Sequence, residues 1–166
     1  LNGLISNSSV AHMGFVFLGI ASMTFIGLTG AVMVMVAHGL LAALAFALSG
    51  HLHQQARTLD MDKLGGLLGV MPFWGTLLLM ALLAGCGLPG FANFSGEITV
   101  FFGAWKTMPL ITGIAAWAAL VIGAVYMLRA ARQLLHGPRA DDDPHTDDIP
   151  NWHKLPFILL LGALVL

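Results

Sequence analysis

Apolar residues run through this chain in long blocks, and the polar residues between the blocks mark where helices are expected to end. Five apolar spans stand out, at about 4–23, 31–52, 72–105, 110–135 and 156–166. A helix needs about 20 apolar residues to cross the hydrocarbon of a bilayer, so four spans are long enough and the fifth is cut short. Gly27, Thr29 and Gly30 supply the predicted turn between the first two, with Thr29 as the N-cap of the second. Polar residues collect from His51 to Lys63, and Pro72 suits the first turn of the third span, where its missing N–H is not needed.

The third span is interrupted by Gly85-Cys86-Gly87-Leu88-Pro89-Gly90. Pro89 lacks a donor and clashes with the carbonyl four residues earlier, which predicts a break in the helix. Unpaired backbone at membrane depth is tolerated only where it is buried in protein or lines a watery cavity. Beyond the break, Lys106 to Pro109 form a short turn. The fourth span then ends with Arg129, Arg132 and His136 ahead of Gly137-Pro138, and these cations complement the helix dipole. Arg139 to Lys154 is polar and rich in Asp. Its run Asp141-Asp142-Asp143-Pro144-His145 reads as a solvated loop, because the spaced ligand pattern of a calcium loop is missing.

Composition narrows the class. Of 166 residues, 58% are hydrophobic and 9% charged, against about 25% charged in soluble domains, and the mean hydropathy is +0.87. A water-soluble globule is excluded. The expected fold is an all-α, polytopic transmembrane bundle, one domain over 1–166, with one discontinuous helix. Cys86 is the single cysteine, so no internal disulfide can form. His51 and His53, two apart, point in different directions on a helix, which argues against a metal site. No phosphate-binding glycine loop, cysteine cluster or nucleophile with a matching base is visible, so no cofactor, metal or redox catalytic residue is expected in this chain. Nothing points to nucleic acid. The chain starts at Leu1 with no basic region ahead of the first span and stops inside an apolar run, which reads as a fragment of something longer.

Basic residues set the orientation. Arg57 and Lys63 follow the second span, and Arg129, Arg132, Arg139 and Lys154 lie at the loop after the fourth; only Lys106 falls on the other side. Cytoplasmic loops carry the excess of Lys and Arg, so the loops after the second and fourth spans face the cytoplasm or the equivalent inner face of an organelle.

Glu97 is the only charged residue between Lys63 and Lys106. Bringing a carboxylate into hydrocarbon costs several kcal/mol, so an intramembrane acid faces other helices or water and often marks an ion or proton path. Asn93 lies four residues earlier, on the same helical face. His12 and His38 also sit within apolar runs, and an imidazole exchanges protons near neutral pH. Together Glu97, His12 and His38 form a candidate proton relay. Ser8 and Ser9 lie one turn before His12, where a hydroxyl can orient the ring or hold a water. Gly14 and Gly39, beside the histidines, would let a helix or water approach. The competing interpretation is structural, with these polar groups bonded across helices only to lock the bundle.

Three segments carry a resemblance: Ser8-Ser9-Val10-Ala11-His12-Met13-Gly14-Phe15, then Ala37-His38-Gly39-Leu40, then Gly87-Leu88-Pro89-Gly90-Phe91-Ala92-Asn93-Phe94-Ser95-Gly96-Glu97. Their order, spacing and helix break resemble the antiporter-like membrane subunits of respiratory complex I. Glu rather than Lys at position 97 is most like the branch called subunit M or chain 4. The resemblance implies a subunit of about fourteen transmembrane helices, of which this piece holds the tenth to the thirteenth and the start of the fourteenth. It implies that Glu97 is the terminal proton-transfer residue of a discontinuous helix, and that His12 and His38 belong to a central hydrophilic axis. It also implies partners among the other membrane-arm subunits, NADH, FMN, iron–sulfur clusters and quinone held in partner subunits of the complex, and a bacterial inner or organelle inner membrane as the location. The start departs from the family, lacking its basic segment and the Tyr before the Ser-Ser pair. The family's key lysines and inner glutamate would lie upstream of Leu1, so this piece alone is not expected to pump. A cation/proton antiporter or membrane-bound hydrogenase subunit of the same superfamily is the alternative.

Overall fold

The structure, a computed structural model, describes residues 1–138 and 148–165. Arg139 and the acidic run from Asp141 to His145 lie outside the described residues. Two long helices come first, α1 (Asn2–Ala21) and α2 (Phe25–Ala56). A short α3 (Leu67–Val70) precedes α4 (Pro72–Gly85) and α5 (Ala92–Trp105), the two halves of the interrupted span. After them come α6 (Pro109–His136) and α7 (Lys154–Leu164). Helices α1, α2 and α6 are each long and apolar enough to cross a membrane.

The first turn differs from the expectation. α1 stops where Ser22 Oγ donates to the Gly19 carbonyl at 2.7 Å, and Thr24, in extended conformation, accepts from Gly27 N at 3.0 Å. Thr24 is therefore the N-cap of α2. Thr29 lies one turn inside the helix, its hydroxyl donating to the Phe25 carbonyl at 2.9 Å. Gly27 and Gly30 do not end a helix here; they let another helix come close. A Cβ on Gly30 would lie 2.5 Å from Val100 N, one on Gly96 2.8 Å from Val34 N, and one on Gly103 2.2 Å from Gly27 N. Small residues permit such backbone approach between membrane helices. This seam packs α5 antiparallel along the first half of α2.

The inner half of the bundle is a conventional apolar core. Trp74, Leu44, Leu48, Leu52, Leu67 and Leu134 are fully buried in it. The Trp74 indole N–H donates to the Leu48 carbonyl at 2.8 Å, joining α4 to α2. Pro72 opens α4, and the Asp148 carboxylate accepts from the next two amides, Phe73 N at 2.8 Å and Trp74 N at 3.1 Å. An acid at a helix N-terminus satisfies orphan donors and complements the dipole.

The ends of the bundle agree with the charge pattern. Gln133 donates to the Met61 carbonyl at 3.1 Å and to Asp62 at 2.8 Å, so the loop after α2 meets the end of α6. At the other end Thr107 donates to the Ser22 carbonyl at 3.3 Å. Arg57, Lys63, Arg129 and Arg132 thus share one end, and Lys106 belongs to the opposite one. The outer wall of α6 is apolar and unshielded, with Trp117 68% exposed beside Leu120 and Ile114. In water such a surface is untenable, whereas lipid or further protein accepts it.

The seam generates a test. Gly103→Val in the full-length protein drives a branched side chain into the Gly27 backbone, and overpacking of this kind costs about 1–3 kcal/mol. Gly14→Ala, where nothing among the described residues lies within 4 Å, serves as the control. Thermal unfolding in detergent is expected to show a lowered midpoint for the first variant and an unchanged one for the second.

Candidate functional site

The break begins where the backbone turns left-handed. Helix α4 ends at Gly85 and α5 starts at Ala92, with Gly87 at φ +71° and Gly90 at φ +104° between them. Pro89 is exposed at the tip of this turn. A left-handed backbone strains any residue with a Cβ, which is why glycine occupies these positions. At Gly87 a second reason applies, because a Cβ there would lie 2.4 Å from Glu97 Oε2. The carboxylate of α5 rests directly on the unwound backbone.

Glu97 is 9% exposed. Its other oxygen, Oε1, lies 3.6 Å from His12 Nε2, so the acid from α5 and the imidazole from α1 face one another. His12 is 2% exposed, and its Nδ1 is bonded to the Ser8 carbonyl at 2.8 Å. A carbonyl can only accept, so Nδ1 carries the hydrogen, and in the neutral ring Nε2 is left as the acceptor facing Glu97. The backbone thereby selects the tautomer able to receive a proton from the acid. Ser8 Oγ is 3.5 Å from the same Nδ1. Ser9 is half-buried, and the contact to the ring is made by Ser8.

His38, from α2, stacks on His12 with centroids 4.6 Å apart and planes at 18°. The structure therefore brings all three candidates, Glu97, His12 and His38, into one cluster from three helices. Stacking has a chemical consequence. Ring N–H bonds lie in the plane of an imidazole, so two parallel rings face to face cannot hydrogen-bond directly. His38 Nδ1 is buried without a partner, as are both amide atoms of Asn93, which is fully buried one turn before Glu97.

Gly14 and Gly39 have nothing among the described residues within 4 Å of an added Cβ, so no described helix comes close at either, and Gly14 borders open space in the cleft beside His12; the close helix approaches belong to the α2–α5 seam. Other contributors were not anticipated. Phe15 meets the His12 ring edge-on at 6.2 Å and Phe101 at 5.5 Å. With Cys86 and Tyr126 they line a cleft of about 880 Å³ onto which His12 and Glu97 open. Phe15 follows His12 by three residues, but only a known helix arrangement gives that spacing meaning.

An interrupted apolar span with a buried acid and two imidazoles beside the break defines an integral membrane protein that keeps ionisable side chains out of water. Residues 1–125 match the family described as NADH:quinone oxidoreductase/Mrp antiporter, TM, and the chain belongs to that family. It is 43% identical over 141 residues to NADH-quinone oxidoreductase subunit M of Pseudomonas aeruginosa, covering 85% of this chain and 28% of that one. It is 37% identical over 153 residues to an NAD(P)H-quinone oxidoreductase chain 4 of Microcystis aeruginosa, covering 89% of this chain and 28% of that one. The chain thus spans 28% of the length of each of these curated relatives. Respiratory complex I from Thermus thermophilus with bound NADH contains a similar chain, with a TM-score of 0.89 and 28% identity over 99% of this chain and 34% of that one. The Mrp complex from Dietzia shares the fold, with a TM-score of 0.74 and 20% identity over 80% of this chain and 25% of that one.

Gly87→Ala tests the seat of the carboxylate. The left-handed backbone alone costs an alanine about 1–2 kcal/mol, and the new methyl must displace Glu97 Oε2. The full-length variant is expected to unfold at lower temperature in detergent, and a density map is expected to show the acid moved away from position 87.

Proposed function

We propose that the chain is the C-terminal part of a proton-translocating membrane-arm subunit of NADH:quinone oxidoreductase, in a bacterial inner membrane. The observation that carries this reading is the approach of Glu97 to His12 beside the helix break, with His38 stacked behind. Intramembrane acids are costly to keep, and this one is paired with the group best suited to exchange its proton. The names of the similar proteins, quinone oxidoreductase subunits M and chain 4, support the assignment to that complex.

In this mechanism the redox chemistry, with NADH, FMN, iron–sulfur clusters and quinone, belongs to partner subunits. This chain supplies the proton stations. A proton delivered to the His38 and His12 pair passes from His12 Nε2 to Glu97 Oε1, closing the 3.6 Å separation by a small side-chain adjustment or one bridging water. The bond to the Ser8 carbonyl holds the His12 ring in orientation throughout. Glu97 then releases the proton toward the end of the bundle that carries Lys106, the outer side by the charge pattern.

The second reading is a cation/proton antiporter subunit, favoured by the family's joint description and the shared fold of the Mrp complex. Such a protein would exchange cation for proton without any quinone reductase partner.

Glu97→Gln keeps shape and removes the exchangeable proton. In the full-length protein within its assembled complex, proton translocation per electron pair in sealed vesicles is expected to fall while the complex still assembles. Native translocation in the assembled variant refutes the role of Glu97. Redox-independent sodium/proton exchange by the native protein would favour the antiporter reading.

A further inference from the structure

Asn93 is 0% exposed and neither atom of its amide has a hydrogen-bond partner, Glu97 included. An unsatisfied buried polar group costs about 1–3 kcal/mol, and proteins commonly meet that cost with an ordered water held by two to four polar groups. The register of the glycine seam says where such a water belongs. Gly103 meets Gly27, Val100 meets Gly30 and Gly96 meets Val34, each step along α2 matched by an equal step back along α5. One turn further, Asn93 falls level with Ala37, the residue before His38. The orphan Nδ1 of His38 and the orphan amide of Asn93 are therefore at the same depth, and Glu97 is one turn outward on the face of α5 that carries Asn93.

We propose that Asn93 and His38 Nδ1 together seat a water molecule that carries protons around the stacked imidazoles, which makes Asn93 a positioning residue of the relay. This rests on the reading of His38, His12 and Glu97 as proton stations. The parallel rings cannot exchange a proton face to face, so the relay needs an in-plane partner at a ring nitrogen. A primary amide suits the task because it offers donors and an acceptor yet keeps its own hydrogens. Its carbonyl accepts one hydrogen of the water and turns another toward Nδ1. When an excess proton reaches this water, an O–H bond of the hydronium breaks, the Nδ1–H bond forms, and neutral water remains. In the reverse step the Nδ1–H bond of protonated His38 breaks, the hydronium re-forms, and its proton becomes available to the His12–Glu97 pair.

The experiment uses the full-length protein in its assembled complex, with Asn93→Leu, Asn93→Ser and Glu97→Gln side by side. Leu keeps the branched shape and heavy-atom number of Asn but cannot hold water, whereas the Ser hydroxyl can. Translocation per electron pair is expected to drop in Asn93→Leu to the level of Glu97→Gln and to stay near native in Asn93→Ser. Native translocation in Asn93→Leu, or equal loss in both Asn93 variants, overturns the proposal. A water-resolving density map of the native complex decides independently, including where Asn93→Leu fails to assemble. A solvent peak within hydrogen-bond reach of both Asn93 and His38 Nδ1 is expected, and an amide bonded wholly to protein groups overturns the assignment. Native translocation in Glu97→Gln instead refutes the relay itself. Loss there beside native translocation in Asn93→Leu refutes only the part given to Asn93.

Discussion

A carboxylate and a stretch of unpaired backbone are each unwelcome in hydrocarbon, and this structure disposes of both in one contact. Glu97 Oε2 rests on Gly87, at the point where the third span unwinds. Non-helical backbone at membrane depth requires protein or a cavity around it, and an acid requires a partner or water. Because the two lie together, a single cleft serves both. α1 delivers the His12 imidazole to the other side of the same acid, and α2 stacks His38 behind it.

Two backbone features tune that cluster without contributing a side chain of their own. The Ser8 carbonyl sets which nitrogen of His12 bears hydrogen, leaving a lone pair toward Glu97 in the neutral ring. The glycine seam of α2 and α5 brings the acid-bearing half-helix in to backbone contact, closer than larger residues allow. Polar chemistry in this bundle is thus arranged by main chain and by the absence of side chains as much as by the titratable groups.

Much of this was legible in the sequence. The helix break followed from Pro89 and its flanking glycines, and the apolar blocks identified the long helices, because both signals are local. Glu97, His12 and His38 stood out because ionisable groups are rare in such a background. The first turn was not legible: in sequence Gly27 and Gly30 look like turn formers, whereas in the structure α5 presses against them, a matter of tertiary packing. At Gly14 and Gly39 the same dependence runs the other way, since no described helix packs against either. Stacking of the two rings, the orphan state of Asn93 and the aromatic wall of Phe15 and Phe101 depend on which helix faces which, and no spacing within one segment encodes that.

The attachment of both half-helices to α2 has a mechanical meaning. α4 is fastened through the Trp74 indole to Leu48, far along α2 from where Gly27, Gly30 and Val34 hold α5. α2, unbroken from Phe25 to Ala56, therefore acts as a splint laid across a fracture. The severed span keeps its alignment without a continuous helix, so the non-helical stretch at residues 86–91 need not itself hold the two halves in register.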